Sequence, residues 1–82
     1  MQLLRYGSVG PTAAFAQLGL QRAGYLQAEP DGIYGRQTQH AVRAFQQSSG
    51  LKQDGIIGPN TWKALDPWLT GYRAHRRAHR HG

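Results

Sequence analysis

Apolar residues follow helical spacing in three segments of the chain, and glycine or proline bounds each of them. The first predicted helix runs from about Pro11 to Ala23, the second from about Arg36 to Ser48, and the third from Pro59 to Asp66. Proline is tolerated in the first turn of a helix because its missing N–H costs nothing there. Glycine, or the residue before a proline, ends a helix. The pattern therefore predicts a small helical domain.

One stretch of sequence occurs twice. Asp31–Val42 reads DGIYGRQTQHAV, and Asp54–Leu65, 23 positions further on, reads DGIIGPNTWKAL. An Asp-Gly pair before an apolar residue predicts a tight turn, and a recurring glycine indicates a backbone conformation that a side chain would forbid. The chain is therefore expected to make a turn, a short loop and a helix start twice, with both loops at one end of the domain.

The positions shared by the two copies have structural explanations. We expect Asp31 and Asp54 to accept hydrogen bonds from backbone amides within their own loops, because Asp favours such turns. The other shared positions are glycines that let the chain enter the helices and first-turn threonines that bond to the loops: Gly35, Gly58, Thr38 and Thr61. We therefore expect these positions to have a structural role more than a role in ligand binding.

Size and composition exclude several classes of protein. With 82 residues the chain forms one domain with a thin core. It has no cysteine, so it can form neither a disulfide framework nor a thiolate metal site. No apolar run reaches membrane-spanning length, and the first residues do not resemble a signal peptide. We therefore expect the protein to stay inside the cell, to leave by a non-standard route, or to travel on a larger particle.

The positive charge is concentrated at the C-terminus. Up to Tyr72 the chain contains six lysines or arginines and four acids. The last ten residues add four arginines, which gives the formal net charge of +6. The tail repeats Arg-Ala-His-Arg and is predicted to be disordered on its own. Its arginines could contact phosphate, but it lacks aromatic residues for base stacking, so nucleic acid is a poor partner. His75 and His79 have helical spacing without a carboxylate beside them, and we predict neither a metal site nor a cofactor.

Four segments together resemble a known family. YGSVGP, QRAGYL, DGIYGRQTQHAVRAFQQSSGL and DGIIGPNTWKAL occur in the order found in the peptidoglycan-binding-domain-like family, over about residues 4–65. The resemblance implies a compact, all-α, three-helix domain, which we place at residues 1–66. An apolar extension over residues 67–72 and the basic tail over residues 73–82 follow it. It also implies non-catalytic binding of bacterial cell-wall peptidoglycan. Related modules act as prodomains of unrelated proteases, so the fold alone does not fix the ligand.

Ligand contacts are predicted where the two copies differ. The first loop carries Tyr34, Arg36 and Gln37, whereas the second carries Ile57, Pro59 and Asn60 at the same places. Tyr34 would offer a flat face to a sugar ring, Arg36 would pair with a carboxylate, and Gln37 would bond amides in both directions. Asp31 of the same loop joins this candidate set. Trp62 is either a second aromatic platform or part of the core, and we favour the core.

The first helix has apolar residues on two faces. The family pattern buries Ala13, Ala16, Leu20 and Ala23, and Phe15 and Leu18 point away from that set. Either the helix adopts another register or these two residues contact a partner, and we favour the partner. Past the third helix, a further apolar cluster either folds back or docks elsewhere: Trp68, Leu69 and Tyr72. The predicted partner interface is Phe15, Leu18, Trp68 and Tyr72.

Catalysis is not expected, because no nucleophile lies beside a base in a recognisable pattern. His40 is the single histidine before the tail. The first functional hypothesis is non-catalytic binding of peptidoglycan at the cell wall or outside the cell. Its narrower form is a wall-recognition subunit of a phage tail, a contractile injection system or a lysis assembly, carried on a virion or injection particle. The second is a structural adaptor that binds proteins and no glycan. The third is binding of an acidic polymer through the tail.

Overall fold

The computed structural model describes residues 2–71, which form three α-helices and a final turn. Helix α1 spans Pro11–Arg22, α2 spans Arg36–Ser48, α3 spans Pro59–Asp66, and a single π-helical turn follows over Pro67–Gly71. Within this part of the chain there is no strand beyond two isolated bridges. The prediction of three helices is confirmed. Helix α1 ends one residue earlier than expected.

The core lies between the three helices and the segment that precedes them. Helix α1 contributes Ala13, Ala16 and Leu20, in the register expected from the family pattern, while Ala23 is only partly buried. The remaining buried apolar side chains come from the loops, the other helices and the last turn: Leu4, Leu26, Tyr34, Ala41, Val42, Phe45, Ile57, Trp62, Leu65 and Leu69. These side chains form one hydrophobic cluster, which is typical of a single small domain.

The last turn folds back onto the domain. Leu69 is 9% exposed and belongs to the core. It approaches α1 so closely that a Cβ on Gly19 would lie 3.1 Å from its Cδ2 atom. Glycine at position 19 therefore permits the contact between α1 and the turn. Of the predicted apolar extension, Leu69 packs on the domain, Trp68 is 36% exposed, and Tyr72 lies outside the described residues.

Residues 2–10, which we call the N-terminal strap, hold both loops in place. Leu4 and Ile57 exchange backbone hydrogen bonds of 3.1 and 2.8 Å. Further along, Tyr34 accepts from the amide of Gly7 and donates its own amide to the carbonyl of Ser8, both at 2.9 Å. The strap therefore connects the first residues of the chain to loops about 30 and 50 positions away. Sequence analysis missed this role.

The second apolar face of α1 is partly covered. Phe15 is 38% exposed, and its ring stacks on Trp62 with 6.3 Å between centroids and 28° between planes. Leu18 is half-buried. Because Ala13, Ala16 and Leu20 occupy the core, the alternative register that would turn Phe15 inward is not adopted. The predicted partner interface remains a prediction.

Among the helices of residues 2–71, none combines the length and the apolar character that a membrane span requires.

Candidate functional site

The first Asp-Gly loop is built around the buried side chain of Gln17, which projects from α1. The Oε1 atom of Gln17 accepts hydrogen bonds from the amides of Asp31, at 2.9 Å, and Gly32, at 2.8 Å. Its Nε2 atom donates to Asp31 Oδ1 at 3.1 Å, to the carbonyl of Ile33 at 3.0 Å and to Thr38 Oγ1 at 2.9 Å. One amide side chain thus joins α1, the loop and the first turn of α2.

The second loop repeats this arrangement around Gln46 of α2. Gln46 Oε1 accepts from the amide of Gly55 at 3.0 Å. Its Nε2 atom donates to Asp54 Oδ1 at 3.0 Å, to the carbonyl of Ile56 at 3.0 Å and to Thr61 Oγ1 at 3.1 Å. Each loop is therefore fixed to the helix before it and to the helix after it.

The two aspartates accept hydrogen bonds from their own loops, as predicted. The amide of Ile33 donates to Asp31 Oδ1 at 3.0 Å, and the amide of Ile56 donates to Asp54 Oδ1 at 2.9 Å. These backbone hydrogen bonds, with the amide groups of the two glutamines, hold the pKa of each carboxyl below its ordinary value. Thr38 and Thr61 were predicted to bond to the loops. Their hydroxyls instead accept hydrogen bonds from the side-chain amides of Gln17 and Gln46.

Sequence analysis missed both glutamines, although a signal for them exists. Gln17 follows Ala13 by four residues and lies next to Ala16, so it falls in the buried stripe of α1. Gln46 adjoins Phe45 on the buried face of α2 in the same way. A glutamine in such a stripe needs polar partners. The Asp-Gly loops supply them, and no buried side-chain nitrogen or oxygen in residues 2–71 lacks a hydrogen-bond partner.

The repeated glycines fall into two kinds. Gly32 and Gly55 have φ angles of +78° and +72°, and a Cβ on Gly32 would lie 3.0 Å from the carbonyl oxygen of Gly10. Glycine is therefore required in both Asp-Gly turns. Gly35 and Gly58 have extended backbones, with φ of −105° and −107°, which any residue adopts. The expectation that helix entry needs glycine there was wrong, and nothing in the structure explains these two glycines.

Tyr34 lies inside the domain. Its side chain is 1% exposed, and its hydroxyl donates a hydrogen bond to the carbonyl of Gly55 in the other loop. Burial, followed by the nearby charge of Asp54, raises the pKa of the Tyr34 hydroxyl. The prediction that Tyr34 offers a face to a sugar ring must therefore be corrected, because the ring has no exposed face. Tyr34 connects the two loops.

Trp62 belongs to the core, which was the favoured of its two interpretations. Its side chain is 6% exposed, and its indole N–H donates to the carbonyl of Gln2 at 2.7 Å. The ring of Phe15 covers it from the outside. Trp62 therefore anchors the N-terminal strap on α3 and offers no exposed face for a ligand.

Arg36 and Gln37 are exposed at the first two positions of α2, where three depressions meet. The largest, which we call the arginine groove, has a volume of about 680 Å³ and is lined by Tyr6, Arg36, Gln39, His40 and Arg43. The loop pocket, of about 220 Å³, includes Asp31, Arg36 and Gln37. The tyrosine cleft, of about 360 Å³, lies between Tyr25 and the same end of α2. Arg36 borders all three.

Arg36 is unfavourable for the stability of α2. It occupies the first position of the helix, its first turn contains no acid, and the cap residue Gly35 makes no side-chain cap. The positive end of the helix dipole lies there, so a cation costs about 0.3–1 kcal/mol. The second copy has Pro59 at the same position, which helices prefer. The presence of arginine is therefore not explained by the fold.

Two exposed tyrosines border these depressions, and the sequence analysis named neither. Tyr6, on the N-terminal strap, is 54% exposed, and Tyr25, after α1, is 36% exposed. The ring of Tyr25 is held edge-on against Phe45, with 5.6 Å between centroids, and its hydroxyl donates to Ser48. These rings supply the aromatic surface that had been expected from Tyr34.

Among residues 2–71, no group of three His, Cys, Asp or Glu side chains could hold a metal ion. His75 and His79, and the phosphate contacts considered for the tail, lie outside the described residues. The functional candidates within them are the depressions around Arg36 and the apolar face at Phe15.

Comparison with known proteins identifies one family. A family model described as "Putative peptidoglycan binding domain" matches residues 9–65. The spore cortex-lytic enzyme of Bacillus subtilis (strain 168) is 40% identical over 65 residues, which cover 78% of this chain and 21% of that enzyme. The crystal structure of the SleB N-terminal domain superposes with a TM-score of 0.76 and 33% identity, covering 78% of this chain and 88% of that one.

A phage protein has a similar structure. The Burkholderia AP3 phage endolysin superposes with a TM-score of 0.73 and 40% identity, over 85% of this chain and 26% of the endolysin. The chain thus spans about a fifth of the cortex-lytic enzyme and a quarter of the endolysin. The similarity therefore covers one part of each of these larger proteins.

Proposed function

Because this chain belongs to the peptidoglycan-binding domain family, we propose that it binds bacterial cell-wall peptidoglycan without catalysis, through the depressions that meet at Arg36. The observation that carries the proposal is the position of Arg36. It is exposed, it borders three depressions, and it opposes the helix dipole at the start of α2. A residue that costs stability and faces a groove is a candidate for binding.

The groups beside Arg36 suit a ligand made of sugars and short peptides. The guanidinium binds a carboxylate through two parallel hydrogen bonds. The amide of Gln37 donates and accepts, as peptide groups require. The partly exposed ring of Tyr25 gives a sugar an apolar surface in place of the buried Tyr34. Asp31 lines the loop pocket and receives its loop hydrogen bonds at Oδ1.

The proposed biological role is recognition of the wall for a lytic or wall-penetrating assembly. The cortex-lytic enzyme and the phage endolysin support this role, since each contains a region similar to this chain within a protein named for lysis. A phage tail or contractile injection system is a narrower form of the same proposal. In each case the protein would work at the cell wall, and the domain would hold its assembly against the polymer.

A structural adaptor remains the second candidate, and the exposed apolar face at α1 and α3 favours it. Phe15, with its ring stacked outside Trp62, borders a depression of about 500 Å³ that also includes Lys63 and Leu69. Trp68 is 36% exposed nearby in sequence. In this role the domain would hold a partner protein. Changing Phe15 and Leu18 to serine would then abolish assembly with the partner, and the unchanged protein would not pellet with sacculi.

Co-sedimentation with purified sacculi tests the first proposal. The full chain should pellet at moderate salt, and Arg36→Gln should bind at least about tenfold more weakly, as expected for loss of a charge-assisted hydrogen bond. Lys63→Gln is the matched control, because it removes one positive charge from an exposed position on α3. It should pellet like the unchanged protein.

A second control addresses the tail. Replacing Arg73, Arg76, Arg77 and Arg80 with glutamine should leave pelleting at moderate salt unchanged. If this variant loses binding while Arg36→Gln keeps it, the basic tail binds the wall and the proposal is refuted. If the unchanged protein does not pellet, wall binding itself is refuted and the adaptor becomes the first hypothesis.

A further inference from the structure

We propose that the arginine groove recognises the carboxylates of peptidoglycan stem peptides, so that this groove binds the peptide of the wall and not its glycan. The inference rests on the proposed function, since it names the part of the polymer that is bound. Its basis is the arrangement of two arginines on one face of α2 and the absence of acids in the groove that they line.

The groove follows one face of a single helix. Arg36, Gln39, His40 and Arg43 are spaced three, four and seven positions along α2, so they lie on the same side. The rise of an α-helix places Arg36 and Arg43 about 10 Å apart along its axis. Tyr6 of the N-terminal strap forms the opposite wall. The groove therefore offers a cation near each end and an exposed ring between the helix and the strap.

The position of Arg43 is defined by the second loop. A Cβ on Gly55 would lie 3.2 Å from the Arg43 Nε atom and 3.7 Å from its Cγ atom. The side chain thus lies directly over the glycine of the second Asp-Gly turn. This contact restricts the freedom of a long side chain, which lowers the entropy that Arg43 loses when it binds a ligand.

The four acids of the described residues each accept hydrogen bonds from groups outside the arginine groove. Asp31 and Asp54 accept from their own loops, Glu29 accepts from Gln21, and Asp66 accepts from Thr70. None of these four lines the groove. Within residues 2–71, neither Arg36 nor Arg43 has a carboxylate partner. Two arginines therefore line one groove whose lining contains no acid.

The donors of the groove distinguish between the two parts of the polymer. A sugar presents hydroxyls, which donate as well as accept, and carboxylate side chains commonly accept those donors. The arginine groove has no carboxylate and up to ten arginine N–H donors, given about five for each guanidinium. Tyr6 and Gln39 can also accept, but most donors of the groove belong to the two guanidiniums, which favour ligand groups that accept. The short peptides of the wall present carboxylates of this kind.

A phosphate-bearing wall polymer shares this chemistry, so the experiment must separate the two sources. The full chain is bound to sacculi freed of teichoic acid, and four soluble competitors are added in turn. These are a stem pentapeptide, the same peptide with its carboxyl groups amidated, glycan oligomers without peptides, and glycerol phosphate. The pentapeptide should displace the protein, and the amidated peptide should be at least about tenfold less effective, because it cannot form charge-assisted pairs.

Variants of Arg43 test whether the arginine groove is the binding site. Arg43→Gln should weaken binding of the protein to the sacculi at least about tenfold, and Arg43→Lys, which keeps the charge and loses the two-pronged geometry, should fall between. Lys63→Gln is again the matched loss of charge and should behave like the unchanged protein. Thermal melts followed by circular dichroism show whether each variant is folded at the temperature of the assay.

Each outcome decides between the two proposals. If the unchanged protein pellets and the glycan oligomers displace it as well as the pentapeptide, the stem-peptide inference is wrong while wall binding stands. Displacement by glycerol phosphate alone would assign the groove to teichoic acid and would also overturn the inference. If the unchanged protein fails to pellet at all, the proposed function itself has failed. Folded Arg43→Gln protein that pellets like the unchanged protein would exclude the arginine groove as the site.

Discussion

Reversing the charge of Arg36 should stabilise the domain while it abolishes binding to the wall. Arg36 begins α2 with no acid in the first turn and no side-chain cap, so it opposes the helix dipole. It has no ion-pair partner in the described part of the chain that the substitution would remove. Arg36→Glu therefore exchanges an unfavourable charge for a favourable one, and it places a carboxylate four residues before His40.

The size of the effect follows from the dipole. Removing the cation and adding an anion each contribute about 0.3–1 kcal/mol at an exposed helix end, so the expected gain in free energy of unfolding is about 1 kcal/mol. For a domain of this size, such a gain raises the melting temperature by about 4–8 °C. The gain should shrink in high salt, because the charges at position 36 are exposed and screened.

Lys63→Glu is the matched control. Lys63 lies in the last turn of α3, where a cation is favourable, and the substitution changes the net charge by the same amount as Arg36→Glu. Thermal melts at low and high salt should therefore shift in opposite directions for the two variants. A fall in the melting temperature of Arg36→Glu would refute the argument from the helix dipole. Retained sacculus binding by Arg36→Glu would refute the role of Arg36 in recognition.

Three further predictions concern the loops. Gln17→Leu removes the acceptor of two loop amides and should lower the free energy of unfolding by about 2–5 kcal/mol in urea titrations; a loss below about 1 kcal/mol would contradict it. Tyr34→Phe leaves the carbonyl of Gly55 without its donor and should cost about 1–3 kcal/mol with unchanged pelleting on sacculi, whereas loss of pelleting by folded protein would mean that Tyr34 contacts ligand. The folded pKa values of Asp31 and Asp54 lie below their ordinary value of 3.8. The two carboxylates therefore contribute to the free energy of unfolding above that pH, and this contribution is lost as the pH falls through the folded pKa values. Urea midpoints should decrease below about pH 4, and less so in the Asp31→Asn, Asp54→Asn double variant.

The repeat made the helices and loops predictable. Pro11, Pro59 and the Asp-Gly pairs act through local backbone geometry, which sequence spacing reports directly. The bounds of α2 were therefore predicted to the residue, and the hydrogen bonds of Asp31 and Asp54 were correct. Information of this kind depends on neighbours within a few positions, so it does not require knowledge of the tertiary fold.

The features that sequence analysis missed depend on contacts between distant segments. The N-terminal strap has no periodic pattern, and its hydrogen bonds join positions such as Leu4 and Ile57. Tyr34 looked like a ligand platform because it is a tyrosine in a loop, yet its hydroxyl reaches the carbonyl of Gly55 and removes the ring from solvent. Burial of a polar aromatic residue requires such a partner, and the sequence alone does not reveal which loop supplies it.

The two copies of the loop have taken different roles. The second copy has Pro59 at the first position of its helix, where helices prefer proline. At the position that corresponds to Tyr34 it has the fully buried Ile57. The first copy has Tyr34, which reaches across to the second loop, and Arg36, which costs stability. Tyr34 joins the first loop to the second through its bond to the carbonyl of Gly55. The start of α3 therefore has the residue that helices prefer, whereas the start of α2 carries an exposed cation that the fold does not require. This difference is the reason for proposing recognition at Arg36.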